Sequence, residues 1–274
     1  MAELTDRVGE LVGAVCRGGK YHHVCRDFVR HVGTRELASH RSFKEAVKGT
    51  RNKLHQVAGA YAEAKADYGS ALAELFLAVN SPDREELRRA CQRIMSRHVS
   101  TRERLPILAE FYAETLGSIP PPKVVLDVAC GLNPLAILWM PLGEDAVYYA
   151  YDIYTNMIAF LGEALPLLGV RGEACARDIA QSPPTQHADL ALILKTIPCL
   201  EQVSKGSGFR LLDALDADYL LISFPVHSIG GRDKGMASNY EAAFLQAMQG
   251  KPWSVQRFAF ASELAFLVRK GRVA

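Results

Sequence analysis

Val124-Val125-Leu126-Asp127-Val128-Ala129-Cys130-Gly131-Leu132-Asn133-Pro134 is the stretch on which the reading of this chain turns. Its first five residues are a short, largely β-branched run that ends in a turn, the profile of a strand buried in a parallel sheet. Similar runs recur at 146–151, 188–194, 219–224, 254–260 and 264–269, and helix-like stretches at 155–168 and 236–249 separate most of them. Strands alternating with helices predict a doubly wound, mostly parallel sheet covered on both faces. The last two runs lie too close for a helical crossover, so they are expected to pair antiparallel at one edge.

Upstream of Pro120-Pro121-Pro122 the texture is helical, and nothing before residue 118 reads as a strand. Ser81-Pro82-Asp83 predicts a helix start, with Ser81 as cap, proline in the first turn and acids at the positive end of the dipole. Leu87, Cys91, Ile94, Met95 and His98 then form one continuous face, with Arg88, Arg89, Arg93 and Arg97 on the other. A second helix is expected after Ser100-Thr101, with Leu105, Leu108, Phe111, Tyr112 and Leu116 inward and Gly117 as its stop. The segment 62–80 carries no motif.

Composition narrows the function. The 274 residues are 49% hydrophobic and 23% charged, which excludes a disordered or collagen-like chain. No run of apolar residues is long enough to cross a bilayer, and Met1 to Arg7 lacks the apolar core of a signal peptide, so the expected location is the cytoplasm. Six cysteines are scattered without a C-x-x-C pair, which points to buried thiols and neither a metal site nor disulfides. The net charge of +2 hides an asymmetry. Residues 1–104 carry nineteen Lys and Arg against thirteen Asp and Glu, whereas 105–274 carry thirteen against seventeen. A basic module beside a mildly acidic one suits docking on a polyanion, although solvated helix faces produce the same balance.

In such sheets ligands sit outside the carboxyl ends of the strands, where the strand order reverses. Ala129 and Gly131 permit close approach of a nucleoside to the first strand end. Asp152, 21 residues after Gly131, is placed to accept ribose hydroxyls, and Asp178 to receive an adenine amino group. Three acids at strand ends fit either a nicotinamide dinucleotide or S-adenosylmethionine. A single glycine followed by Asn133-Pro134 is a poor pyrophosphate turn, because proline removes an amide donor, so the methyl donor leads. No paired carboxylates, Ser/His/Asp set or metal cluster is evident in the sequence.

Ser100-Thr101-Arg102-Glu103-Arg104, Asp127 to Leu135, Lys195-Thr196-Ile197-Pro198-Cys199-Leu200-Glu201, Ser223-Phe224-Pro225 and Gly230 to Met236 strongly resemble the aminoglycoside-resistance 16S rRNA methyltransferases, which modify N7 of guanine 1405. The likeness runs from Gly19-Lys20-Tyr21 to Glu263-Leu264. It implies a class I S-adenosylmethionine-dependent methyltransferase domain (Rossmann-like, with a mostly parallel seven-stranded sheet) over residues 105–274. An all-helical domain over 1–104 would dock on 16S rRNA in the assembled 30S subunit. It implies S-adenosyl-L-methionine as cofactor, no membrane contact, a monomeric enzyme, and resistance to gentamicin- and kanamycin-type drugs; methylation of another rRNA nucleotide or of a non-RNA substrate is the alternative. The family's cofactor contacts map onto Tyr61, His98, Ser100, Thr101, Arg104, Ala129, Gly131, Asp152, Asp178, Ile179 and Leu194, with Arg104 suited to gripping the methionine carboxylate. Arg17, Lys20, Arg51, Lys53, Arg88, Arg89, Arg93, Arg232 and Lys234 are candidate phosphate contacts, and Lys195 is assigned with them to positioning the RNA. No general base is expected, because guanine N7 carries a lone pair and no proton.

Overall fold

The computed structural model describes residues 2–17, 19–57, 66–83, 85–226 and 236–271. Three helices come first: α1 (Ala2–Cys16), α2 (Arg26–Ser39) and α3 (Phe43–Val57). Leu11, Val15, Phe28, Val29, Val32 and Leu54 bury among themselves to hold this trio together. Next come α4 (Tyr68–Val79), α5 (Glu85–Met95), α6 (Val99–Arg104) and α7 (Leu108–Leu116). At α5 the cap differs from expectation. Asp83 Oδ1 accepts the Glu85 amide, while Ser81 Oγ accepts only the Asp83 amide ahead of the helix. The single helix expected after Ser100 is divided by a 3₁₀ turn over Leu105–Ile107, because Pro106 lacks the amide that would continue it.

The remaining chain alternates: β1 (Val124–Val128), β2 (Val147–Asp152), α8 (Thr155–Leu167), β3 (Arg171–Ala176), β4 (Ala188–Leu194), α9 (Ile197–Val203), α10 (Ser207–Ala214), β5 (Ala217–Pro225), α11 (Met236–Met248), β6 (Ser254–Ala259) and β7 (Glu263–Arg269). The seven strands form one sheet ordered β3-β2-β1-β4-β5-β7-β6. All pairings are parallel except those of β7 with β5 and β6. The expected antiparallel pair is thus present, with β6 at the edge and β7 inserted beside β5.

Alternation along the strands feeds two separate cores. Val125, Leu190, Leu192 and Leu221 face α4, α5, α7 and α8, whose Leu75, Ile94, Phe111 and Leu161 share their cluster. Leu126, Ala191, Ile193 and Ile222 face the other way, against Leu200 of α9, Leu211 of α10 and Phe244 of α11. Helices α4 and α5, although in the basic half of the sequence, therefore pack with the sheet rather than with α1–α3. The trio is pinned elsewhere. The Cys25 amide donates to Ile153 O at 2.7 Å, the Thr155 amide donates to His23 O at 2.8 Å, and Val24 bridges Tyr154. These bonds fix α1–α3 at the carboxyl end of β2. None of the six cysteines is in a disulfide; Cys25, Cys91 and Cys130 are buried as expected, whereas Cys16, Cys175 and Cys199 are only half-buried.

The chain adds strands outward from β1 to β3, then crosses back to β4, so the order reverses between β1 and β4. A ligand crevice belongs at that point. One edge detail is testable. Gly172 pairs with Tyr148 at φ +154°, and a Cβ there would fall 1.8 Å from Tyr148 O. Gly172→Ala is expected to cost about 1–3 kcal/mol, read as a lower denaturant midpoint at unchanged slope; an unmoved midpoint contradicts this register.

Candidate functional site

The cleft at the switch point is walled by the ends of β1, β2 and β4, by residues just past β3, and by Phe28 of α2 and Val57 of α3. It encloses about 790 Å³ of empty space, counting its open mouth. Two non-glycine residues on its wall, Ala129 and Lys195, hold positive φ of 52° and 57°. Left-handed backbone costs an L residue energy and persists only where surrounding contacts impose it, typically at functional sites. Gly131, on the same wall, has φ +53°, and a Cβ added there would meet His98 Cε1 at 2.7 Å. Glycine is required here for close packing as well as for its dihedral.

Asp152 ends β2 on the cleft wall. Its Oδ2 accepts the Gly131 amide at 2.9 Å, and its Oδ1 accepts the amides of Ile153 and Tyr154 at 2.7 and 3.3 Å. Burial raises its pKa above the usual carboxylate value, and these amides oppose that rise. Asp178, also buried, accepts the Ala180 amide at Oδ1 and meets His31 Nδ1 at Oδ2, 2.8 Å away. Apolar surface between the acids comes from Ile179, Leu194 and Leu200. His98 and Ser100 complete the wall. His98 is buried with Nδ1 unpartnered, and its pKa is pushed down to about 4 by burial, with the charges of Lys195, Arg104 and Arg102 adding to the effect. Its ring is therefore neutral near pH 7.

Beneath the cleft lies a buried charge cluster. Glu263, at the head of β7, is fully buried and forms an ion pair with Arg104 through two contacts, Nε to Oε1 at 2.8 Å and Nη2 to Oε2 at 2.9 Å. Lys195 Nζ lies 3.3 Å from Glu263 Oε1 and 2.7 Å from Glu103 Oε2, and donates to Ser100 O. Burial works to raise the Glu263 pKa, but Arg104 and Lys195 outweigh it and hold the carboxyl below its ordinary value. Arg104 Nη1 donates to Asn133 Oδ1 at 2.8 Å, and Asn133 Nδ2 donates to Asp127 Oδ2 at 2.9 Å. Burial pushes the Asp127 carboxyl up to about 7, against the pull of Asn133, Tyr148 and Arg104.

Of the residues singled out from sequence, the cleft gathers His98, Ser100, Ala129, Gly131, Asp152, Asp178, Ile179 and Leu194. It does not gather Thr101 or Arg104. The Thr101 hydroxyl donates to Met95 O and His98 O, which clips the start of α6. The Arg104 guanidinium is 1% exposed and turned to Glu263 and Asn133, so it underlies the site and does not form its wall. Lys195, at 4% exposure, lines the cleft and meets the carboxylates of Glu103 and Glu263 rather than standing on the outer surface. Tyr61, Arg232 and Lys234 lie outside the described residues.

The remaining cations fall into two groups. Arg17, Lys20, Arg51 and Lys53 lie where α1 and α3 meet. Arg51 donates to Ala14 O, and Lys20 Nζ sits 3.2 Å from His55 Nδ1. Arg88, Arg89 and Arg93 are exposed on α5, but Arg89 pairs with Asp83 and Glu86, and Arg93 with Glu74 and Glu86. Arg88 donates to Leu138 O and lies over Trp139. Phe28, Val57, Glu103 and Glu263 were not legible as site residues. Only Glu263, a lone acid heading an apolar strand, carried a signal. At the opposite strand ends His187, Asp189 and Asp218 place ligand atoms within 4.8 Å of one another. Asp189 is already committed to the amides of Lys123 and Val124.

A sheet of this order with its cleft over β1 and β4 is the architecture of a class I methyltransferase. The chain belongs to the ribosomal RNA methyltransferase (FmrO) family, whose profile matches residues 17–267. It is 41% identical to a 16S rRNA (guanine(1405)-N(7))-methyltransferase of Frankia casuarinae, over 98% of this chain and 94% of that one. It is 38% identical to the protein of that name from Micromonospora echinospora, over 97% of both chains. Among solved structures it resembles the 16S rRNA methyltransferase RmtF in complex with S-adenosyl-L-homocysteine, at a TM-score of 0.81 and 31% identity, covering 97% of this chain and 98% of that one.

Asp152 is the carboxylate at the end of β2 that a ligand with a vicinal diol would meet in this cleft. Asp152→Ala is expected to weaken S-adenosylhomocysteine binding by roughly 1.5–3 kcal/mol, measured by calorimetry. Unchanged affinity removes Asp152 from the binding set.

Proposed function

We propose that this chain transfers a methyl group from S-adenosyl-L-methionine to N7 of guanine 1405 of 16S rRNA, acting on the assembled 30S subunit, in the cytoplasm and as a monomer. The observation that carries the reading is the cleft at the switch point, with acids from successive strand ends, in a chain whose full-length relatives bear that name. The lining suits the cofactor. Gly131 leaves a cradle that a Cβ would fill, and Asp152 keeps acceptor capacity beyond its three amides for ribose hydroxyls. Asp178 has the chemistry to accept an adenine amino group, and Ile179 and Leu194 offer flat apolar surface to the base. His98 Nδ1, buried and unpartnered, is the remaining polar atom without a protein partner on this wall.

The bound cofactor supplies an electrophilic methyl on a sulfonium, which is already an excellent leaving group. The protein's part is placement: the wall holds the donor, and the basic residues of α1 and α3 set the RNA by its phosphates. We assign that docking to Arg17, Lys20, Arg51 and Lys53, together with Arg232 and Lys234, which lie outside the described residues. The α5 arginines contribute less, since carboxylates already neutralise Arg89 and Arg93. The target base has to leave the rRNA stack to reach the cleft. An added methyl and positive charge at N7 would repel cationic aminoglycosides, so the reading includes resistance to gentamicin- and kanamycin-type drugs.

Incubating purified 30S subunits with the protein and labelled S-adenosylmethionine, then mapping the label, tests the assignment. Label at guanine 1405 supports it, and label at another nucleotide or none on RNA overturns it. A second expectation follows from the chemistry. Single-turnover methylation on saturating 30S should be nearly flat between about pH 6.5 and 8.5, because N7 is unprotonated and His98, with its pKa near 4, stays neutral throughout. Asp127→Asn, which removes a buried carboxyl whose pKa is pushed up to about 7, should show the same flat profile. A tenfold rise per pH unit would require an essential base and a target atom that carries a proton.

A further inference from the structure

The acid past β3 is not held by its own domain alone. Asp178 Oδ2 meets His31 Nδ1 at 2.8 Å, and His31 belongs to α2, 147 residues earlier in the chain. The pair is secluded, with side chains 10% and 4% exposed. His31 sits one helical turn beyond Phe28, which lines the cleft, and the two rings meet edge to face at 6.4 Å. Helix α2 therefore carries two consecutive contacts to this end of the site.

The proton on His31 is set by a third residue. Gln181 Nε2 lies 3.2 Å from His31 Nε2, and an amide nitrogen only donates. His31 Nε2 must then accept, which leaves the proton on Nδ1 for donation to Asp178 Oδ2. The other carboxylate oxygen accepts the Ala180 amide at 3.1 Å. With a donor on each oxygen the carboxylate cannot rotate, although it stands on a loop two residues past the end of β3. Its remaining lone pairs are presented in one fixed orientation on the cleft wall.

We propose that His31 is a positioning residue for base recognition: it holds Asp178 so that the carboxylate accepts the exocyclic amino group of the cofactor's adenine. This rests on the reading that Asp178 faces that amino group. It means that the helical trio supplies part of the cofactor's specificity. A carboxylate locked in this way rejects a base that presents a carbonyl oxygen at the same place, because the oxygen offers no proton and repels the charge.

The experiment compares binding of S-adenosylhomocysteine and S-inosylhomocysteine, in which the amino group is replaced by a carbonyl, to the full chain by calorimetry. A purely structural role for His31 would weaken both ligands equally, so the preference between them is the readout. His31→Leu is expected to lower the preference for the adenosyl ligand roughly fivefold to tenfold, and His31→Asn, which keeps an N–H donor near the place of Nδ1, to restore most of it. Gln181→Leu, at an exposed position, should lower the preference in the same direction by a smaller factor. An unchanged preference in folded His31→Leu, while Asp178→Asn abolishes it, overturns the proposal and leaves the adenine reading intact. An unchanged preference in Asp178→Asn overturns that reading and the proposal with it. If His31→Leu does not fold, Gln181→Leu decides, and an unchanged preference there is contradictory.

Discussion

Glu263 and the two cations it holds are the interaction on which the rest of the site depends. Taking a carboxylate, a guanidinium and an ammonium out of water is costly, and the cost is offset only if every charge is paired and hydrogen-bonded. Here every charge is paired, although Arg104 Nε and Glu263 Oε1 face each other without hydrogen-bond geometry. Arg104 meets both carboxylate oxygens, Lys195 approaches one of them, and Glu103 and the Ser100 carbonyl satisfy the rest of the ammonium. The Arg104 guanidinium also lies over the Phe111 ring at 5.0 Å. The partners come from α6, β4, β7 and α7, elements far apart in sequence. Through Asn133 and Asp127 the same network reaches the turn after β1. The turn after β1 and the strand end that faces it are thus tied to one buried charge.

Around that base, strain and close packing shape the cleft. Ala129 and Lys195 keep left-handed backbone at the ends of β1 and β4, and Gly131 lets the His98 ring approach without a side chain between them. The amides freed by the sharp turn at Gly131 and by the end of β2 are not left to solvent, since Asp152 takes three of them. The helical trio closes the other side. Its backbone bonds to Ile153 and Thr155 run along the end of β2, and Phe28, Val57 and His31 reach the cleft or its lining acid. The helical trio and the cleft are therefore parts of one packed region.

The sequence made much of this legible for physical reasons. Central strands such as β1, β4 and β5 are covered on both faces, so they read as apolar runs, and the acids Asp152 and Asp178 stand out because the chain turns there. Strand β3 was harder to see: it lies at the sheet edge with Arg171, Gly172 and Glu173 exposed, so no apolar run marks it. Helix α4 lies in a segment without motif, yet Ala71 and Leu75 bury against the sheet's own cluster. The carboxylate partner of Arg104 and Lys195 is not legible in the sequence, for one reason common to both. A cation in a motif near a strand end looks like a ligand contact until its partner is known, and Glu263 is 159 residues from Arg104. Phe28, Val57 and His31 were invisible because nothing local ties a helix near the start to a strand end in the second half.

The account stands or falls on whether Glu263 holds the cleft together, and Glu263→Gln measures that most directly. Glutamine keeps the shape and removes the charge, leaving Arg104 and Lys195 buried beside a neutral group. The account predicts a loss of about 3–5 kcal/mol in unfolding free energy, together with weaker S-adenosylhomocysteine binding in calorimetry on the fraction that remains folded. A variant with wild-type stability and wild-type affinity would contradict it.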